Sequence, residues 1–206
     1  MQNILQVSFQ RWFKLLTGLV CYGVGLSFMK QSQLGLSPWD VLHDGLAKLI
    51  GVQIGTVSIF IGILVLLLWI PIREKPGIGT VLNIFLVGTV TNLMLPITPI
   101  PDQLWLKIVW LVLGLLMIGL ATALYLGSRL GAGPRDGLMT GLHRRSNRSI
   151  RLIRTAIEAS VLLIGLLFGG TIGIGTLAYT FGIGPIIQFM FRLTGDAELA
   201  SSRNRT

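Results

Sequence analysis

Apolar residues along this chain come in six long blocks separated by short polar or proline-bearing stretches. The blocks are residues 12–29, 54–71, 78–95, 104–126, 152–168 and 172–191. Each approaches the ~20 residues an α-helix needs to cross a hydrocarbon core, so the pattern predicts six transmembrane helices. A further apolar stretch, 38–50, opens with proline and is too short to cross. As a helix it reaches about 20 Å against a core of ~30 Å. It predicts a half-helix, re-entrant or lying in the interface, with a copy at 134–147. Pro96, Pro99 and Pro101 stand between the third and fourth blocks and cannot continue a helix, which predicts a stiff, exposed linker over 96–101. The polar tail 194–206 predicts disorder.

The chain also repeats itself. Leu34-Gly35-Leu36-Ser37-Pro38-Trp39-Asp40-Val41-Leu42 returns as Leu130-Gly131-Ala132-Gly133-Pro134-Arg135-Asp136-Gly137-Leu138. The same register carries Gly77-Ile78-Gly79-Thr80 onto Gly173-Ile174-Gly175-Thr176 without a gap. Two distant motifs obeying one shift identify a duplicated unit, about 11–95 and about 104–191, within a single membrane domain. Three spans per copy is an odd number, so the second copy enters the membrane from the opposite side. The expected fold is an all-α membrane protein. Its six transmembrane helices form two inverted three-span repeats, each with a short half-helix after its first span. Many secondary transporters share that architecture, and the step from topology to activity is by association.

Composition agrees with this picture. Residues are 52% apolar and 12% charged, against about 25% charged in a soluble domain, and mean hydropathy is +0.75. No extramembrane stretch is long enough to bury its own core, so no soluble catalytic domain is expected. The net charge of +9 reads as a topology signal and not as a nucleic-acid surface. With the N-terminus in the cytoplasm, 14 of the 17 Lys and Arg lie inside or near the inner boundary, leaving Lys30, Lys48 and Lys107 outside. Both termini are thus cytoplasmic, and the inner face meets anionic lipid. Residues 1–29 look like a signal peptide, but no small-x-small site follows, and the repeat maps them onto an internal span. They read as a retained helix. Cys21 is alone, which excludes an intrachain disulfide and leaves a packing role.

The chemistry concentrates at the half-helix starts. Ser37 is a good N-cap, Pro38 suits the first helical position, and Asp40 favours the positive helix end. In the copy Gly133 replaces the serine, while Pro134 and Asp136 remain. The aspartates either cap these starts or shape a site at a break in the hydrophobic layer. Free N–H groups there attract an anion, and paired carboxylates take a proton or cation. Trp39 and Arg135 occupy equivalent positions. Trp39 reads most simply as an interfacial anchor and Arg135 as a positive-inside residue, with a substrate role for Arg135 as the second reading. Arg154 and Glu158 are one helical turn apart, which predicts an ion pair serving structure or coupling. Asn83 and Asn92, with copies Tyr179 and Gln188, read as inter-helix glue. His43 and Asp44 follow the first motif, where a lone histidine near the interface is expected to be solvated. Gly165-x-x-x-Gly169 and Gly169-x-x-x-Gly173 predict close helix packing, with oligomerisation the lesser reading. No phosphate-binding loop, metal-ligand cluster, serine-hydrolase elbow or haem-type cysteine set is present, so no enzyme activity, metal or cofactor is expected.

These motifs resemble the YczE/YitT-type family of bacterial integral membrane proteins. The resemblance is carried by Gly35–His43, Gly55-Thr56-Val57-Ser58-Ile59, Gly133-Pro134-Arg135-Asp136-Gly137-Leu138-Met139, Arg154 with Glu158, Gly169-Gly170 and Gly173-x-Gly175-Thr176. It implies a multi-pass protein of the bacterial plasma membrane and names no substrate. The leading expectation is a small secondary transporter for an unknown solute or ion. Its site would lie between Ser37, Pro38, Trp39, Asp40 and Gly133, Pro134, Arg135, Asp136, with Arg154 and Glu158 coupling or gating. The alternative is a non-transporting scaffold or regulator of a cell-envelope or biosynthetic complex.

Overall fold

The computed structural model describes residues 9–146 and 148–196. Among these, the regular structure is helical: α1 Phe9–Gln31, α2 Pro38–Ile50, α3 Ile54–Leu67, α4 Trp69–Ile72, α5 Ile78–Met94, α6 Leu104–Gly127, α7 Pro134–Ser146, α8 Ile150–Leu167 and α9 Ile174–Leu193. Four segments are long and apolar enough to cross a membrane: α1, α3 with α4 as one 19-residue stretch, α6 and α9. The other two predicted spans form helices but fall short of that standard. Helix α5 is apolar with 17 residues, and the first half of α8 carries Arg151, Arg154 and Glu158. Broad apolar faces on α3 and α9, including Phe60, Leu64, Leu67, Leu177 and Phe181, are exposed. Such a surface suits hydrocarbon and not water.

The tail is ordered at its start, against expectation. Asp196 accepts the Lys14 ammonium at 2.7 Å, which fixes the end of α9 to α1. Residues 1–8 and 197–206 of the predicted leader and tail lie outside the described part. The proline linker is also tied down: the Gln31 amide donates to the carbonyls of Leu95 at 2.8 Å and Thr98 at 3.0 Å, and the Trp110 indole to Pro99 at 3.0 Å.

Contacts between the copies come in exchanged pairs. The Gly175 N–H donates to the Leu34 carbonyl at 2.7 Å, and the Gly79 N–H to the Leu130 carbonyl at 2.9 Å. Each pair is the other with its partners swapped between copies. Thr80 Oγ1 and Thr176 Oγ1 accept from the N–H groups of Gly77 and Gly173 at the starts of α5 and α9. Gly35 and Gly131, facing these caps, both have positive φ (+120° and +141°), a region a side chain would strain. On α1 and α6 small residues let the backbones meet. Gly18 sits against Ala121 and Tyr125, whereas Gly25 sits against Gly114 and Met117. Advancing along α1 means retreating along α6, so these equivalent helices run antiparallel.

The half-helices α2 and α7 are both held between α3 and α8. Helix α2 approaches α8 over Gly165, where a Cβ would lie 2.5 Å from the Leu42 nitrogen. At the equivalent contact the small partner changes sides: Trp69 fills the gap and Gly137 of α7 gives way. The Trp69 indole then donates to the Pro134 carbonyl at 3.1 Å.

Candidate functional site

Helix α2 starts as its sequence dictates. Ser37 is the N-cap, its hydroxyl oxygen accepts the Asp40 N–H at 3.3 Å, and Pro38 opens the first turn. The Ser37 hydroxyl also donates to the Asp40 carboxylate. Asp40 is 1% exposed, so its charge demands a partner, and the partner comes from the other copy. Arg135 Nη2 donates to Asp40 Oδ1 at 3.0 Å. The same guanidinium lies over the Trp39 ring, 5.2 Å from its centroid, within cation–π range. Trp39 and Arg135 are copies of one another, so this contact marks where the two halves meet.

Two expectations are corrected here. Trp39 is buried and is no interfacial anchor; its ring carries the Arg135 guanidinium, which pairs with Asp40. His43, expected in solvent, is 1% exposed, and its Nδ1 lies 3.3 Å from Asp40 Oδ1 and 3.4 Å from Arg135 Nη2. Burial follows from helical spacing. His43 stands one turn after Asp40 on the face that Arg135 reaches.

A cavity of about 100 Å³ opens beside this cluster. Both copies wall it. Ser37, Pro38 and Trp39 face it from the first half-helix, and Gly133, Pro134, Arg135 and Asp136 from the second. Asp40 does not line it, and serves by holding Arg135. Arg154 and Glu158 both line it, joined at 2.8 Å as their spacing predicts. Asp136 Oδ2 accepts the Tyr125 hydroxyl. The chain has three tyrosines, Tyr22, Tyr125 and Tyr179, and all three line the cavity. That was a missed signal: a polar-tipped ring inside an apolar span usually needs a buried partner. Two wall residues keep a buried ring nitrogen without a hydrogen-bond partner, Trp39 Nε1 and His43 Nε2. Orphaned buried polar atoms are costly, and each calls for a partner such as a water or an ion.

The far ends of the half-helices are tied across the two copies. At the end of α2, Asp44 (2% exposed) receives the ammonium groups of Lys30 and of Lys48, the latter at 2.9 Å. It also receives the N–H and hydroxyl of Thr171 at 2.8 and 2.6 Å. Lys48 reaches the Gly169 carbonyl at 2.9 Å. At the end of α7, Arg144 pairs with Glu74. Asn92, placed as inter-helix glue, accepts the Gly55 N–H at 2.8 Å and donates to Thr56 Oγ1 at 2.9 Å, fastening α5 to the start of α3. Among the described residues no group of His, Cys, Asp and Glu is placed to hold a metal ion.

Comparison with known proteins agrees with the resemblance drawn from the motifs. The chain is 38% identical over 179 residues to an uncharacterised protein of Haemophilus influenzae, covering 87% of this chain and 82% of that one. It is 32% identical to the uncharacterised membrane protein YczE of Bacillus subtilis, covering 87% and 84%. It is also 32% identical to the uncharacterised protein YyaS of the same organism, covering 91% and 95%. No solved structure matches. With a membrane protein among these relatives and four helices apolar enough to span, this is a multi-pass integral membrane protein in contact with the lipid bilayer. Residues 9–192 match the family of unknown function DUF6198, and the chain belongs to that family.

Proposed function

We propose that the protein is a small secondary transporter of the bacterial plasma membrane, with its site in the cavity between the two copies. The observation that carries this reading is the cavity itself: walled by equivalent positions of both halves, carrying charged and polar side chains among apolar ones, and set where the two half-helix starts meet. The exchanged contacts and the antiparallel α1 and α6 support threading of the halves in opposite senses, with α5 and α8 as the two remaining, shorter spans. The Lys and Arg distribution supports cytoplasmic termini. The Asp44 cluster and the Arg144–Glu74 pair then lie on opposite faces, and each joins one half to the other. Alternating access needs a closure of this kind on each side of a central site. Arg154–Glu158 belongs to the cavity wall, where a change in pairing couples to occupancy.

Flux into proteoliposomes, measured across small solutes, tests this. The wild type should carry at least one of them, and Gly62→Leu, which adds a bulky side chain to the cavity wall at the position equivalent to Glu158, should stop that flux in a folded protein. Flux unaffected by Gly62→Leu would contradict the reading. The scaffold alternative is favoured by the exposed run Arg144, Arg145, Arg148 and Arg151. Co-purification of a stoichiometric partner, lost when that run is neutralised, would support it.

A further inference from the structure

Charges around the cavity do not balance. Arg135 is matched by Asp40, and Arg154 by Glu158. Asp136 is left over: among the described residues it has no cation within ion-pair distance, and its one hydrogen bond comes from the Tyr125 hydroxyl to Oδ2. Both arginines of the wall are thus taken, and the spare charge is negative. From this we infer that the cavity receives a small monovalent cation of the ammonium type, with Asp136 as its counter-charge. The inference rests on reading the cavity as the substrate site.

Three further observations point the same way. Besides Trp39, whose ring Arg135 already covers, three aromatic rings, Tyr22, Tyr125 and Tyr179, stand in the wall, and ring faces attract cations. His43 supplies an acceptor. Its Nδ1 lies against Asp40 Oδ1, which only accepts, while Arg135 Nη2 already donates to that oxygen at the shorter distance. The ring proton therefore sits on Nδ1 and faces the carboxylate. The unpartnered, buried Nε2 is left to accept from an N–H donor. Size sets the scale: a cavity of ~150 Å³ accommodates a benzene ring, so about 100 Å³ takes a solute of only a few heavy atoms.

Methylammonium and formate are probes of similar size and opposite charge. Binding of each to the purified full-length protein in detergent is to be measured by calorimetry and thermal shift at matched ionic strength. The expected result is binding of methylammonium in preference to formate. Asp136→Asn should weaken it by about thirtyfold or more, the scale for removing the counter-charge of a desolvated ion. Asp136→Glu should restore most of the affinity, and Tyr125→Phe should weaken it mildly. Preference for formate, no methylammonium binding, or unchanged binding by a folded Asp136→Asn protein would each overturn the inference. Uptake of the same probes by proteoliposomes separates the two ideas. Formate transport overturns the cation and leaves the transporter, whereas methylammonium that binds through Asp136 but is never carried retains the cation site and removes the transporter.

Discussion

Asp40 and Asp136 hold the same position in two copies of one motif, three residues after the helix cap, and the fold gives them different work. Asp40 is sealed in, shares its carboxylate among Ser37, His43 and Arg135, and faces no cavity. Asp136 stands in the cavity wall with a tyrosine hydroxyl as its partner. The difference originates one residue earlier. Trp39 in the first copy is Arg135 in the second, so the arginine reaches across to Asp40 while the tryptophan has no charge to offer Asp136. Of the two equivalent acids, a single divergent neighbour leaves one anchored to an arginine and the other, among the described residues, with a tyrosine hydroxyl and no cation partner.

The largest expected effect breaks this contrast at its structural end. Asp40→Asn leaves Arg135 without its counter-charge in a buried setting, a loss of about 3–5 kcal/mol in unfolding free energy, whereas Asp136→Asn should stay within about 1 kcal/mol. Circular dichroism of the detergent-solubilised proteins during denaturant unfolding compares them. Equal losses would mean that the two acids share one role.

A smaller effect sharpens the same contrast at the far ends of the half-helices. Asp44 is buried beneath two lysines and Thr171, so Asp44→Asn removes charge-assisted hydrogen bonds worth about 1.5–3 kcal/mol. Arg144 is 63% exposed, so Glu74→Gln should cost no more than about 1 kcal/mol. Under the transporter reading, Asp44→Asn opens its face more readily than Glu74→Gln opens the other. A cysteine at Ser58, in the cavity wall, then reacts faster with a water-soluble maleimide added on the Asp44 side of Asp44→Asn than on the opposite side of Glu74→Gln. The reverse order would put the tighter closure at the other face.

Local chemistry made part of this legible in the sequence. Pro38 and Pro134 fix the half-helix starts because proline is tolerated only in a first turn, and Arg154 with Glu158 pair because one turn separates them. The glycine motifs mark where the copies touch. What stayed hidden depends on contacts between distant segments. Neither the Asp40–Arg135 pair nor the burial of Trp39 and His43 follows from spacing, since both need the second copy to fold against the first. The Asp44 cluster was missed for the same reason, as Thr171 lies far along the chain. Hydropathy alone also hid the role of the charged first half of α8, where Arg154 and Glu158 line the cavity.

The central claim is that the two copies face each other in opposite senses across the membrane. Single cysteines at the equivalent exposed positions Leu49 and Arg145, in a Cys21→Ser background, test it most directly by labelling intact cells with a membrane-impermeant maleimide. The account predicts that Leu49→Cys is labelled from outside and Arg145→Cys only after the cells are opened. Labelling of both from the same side would contradict it.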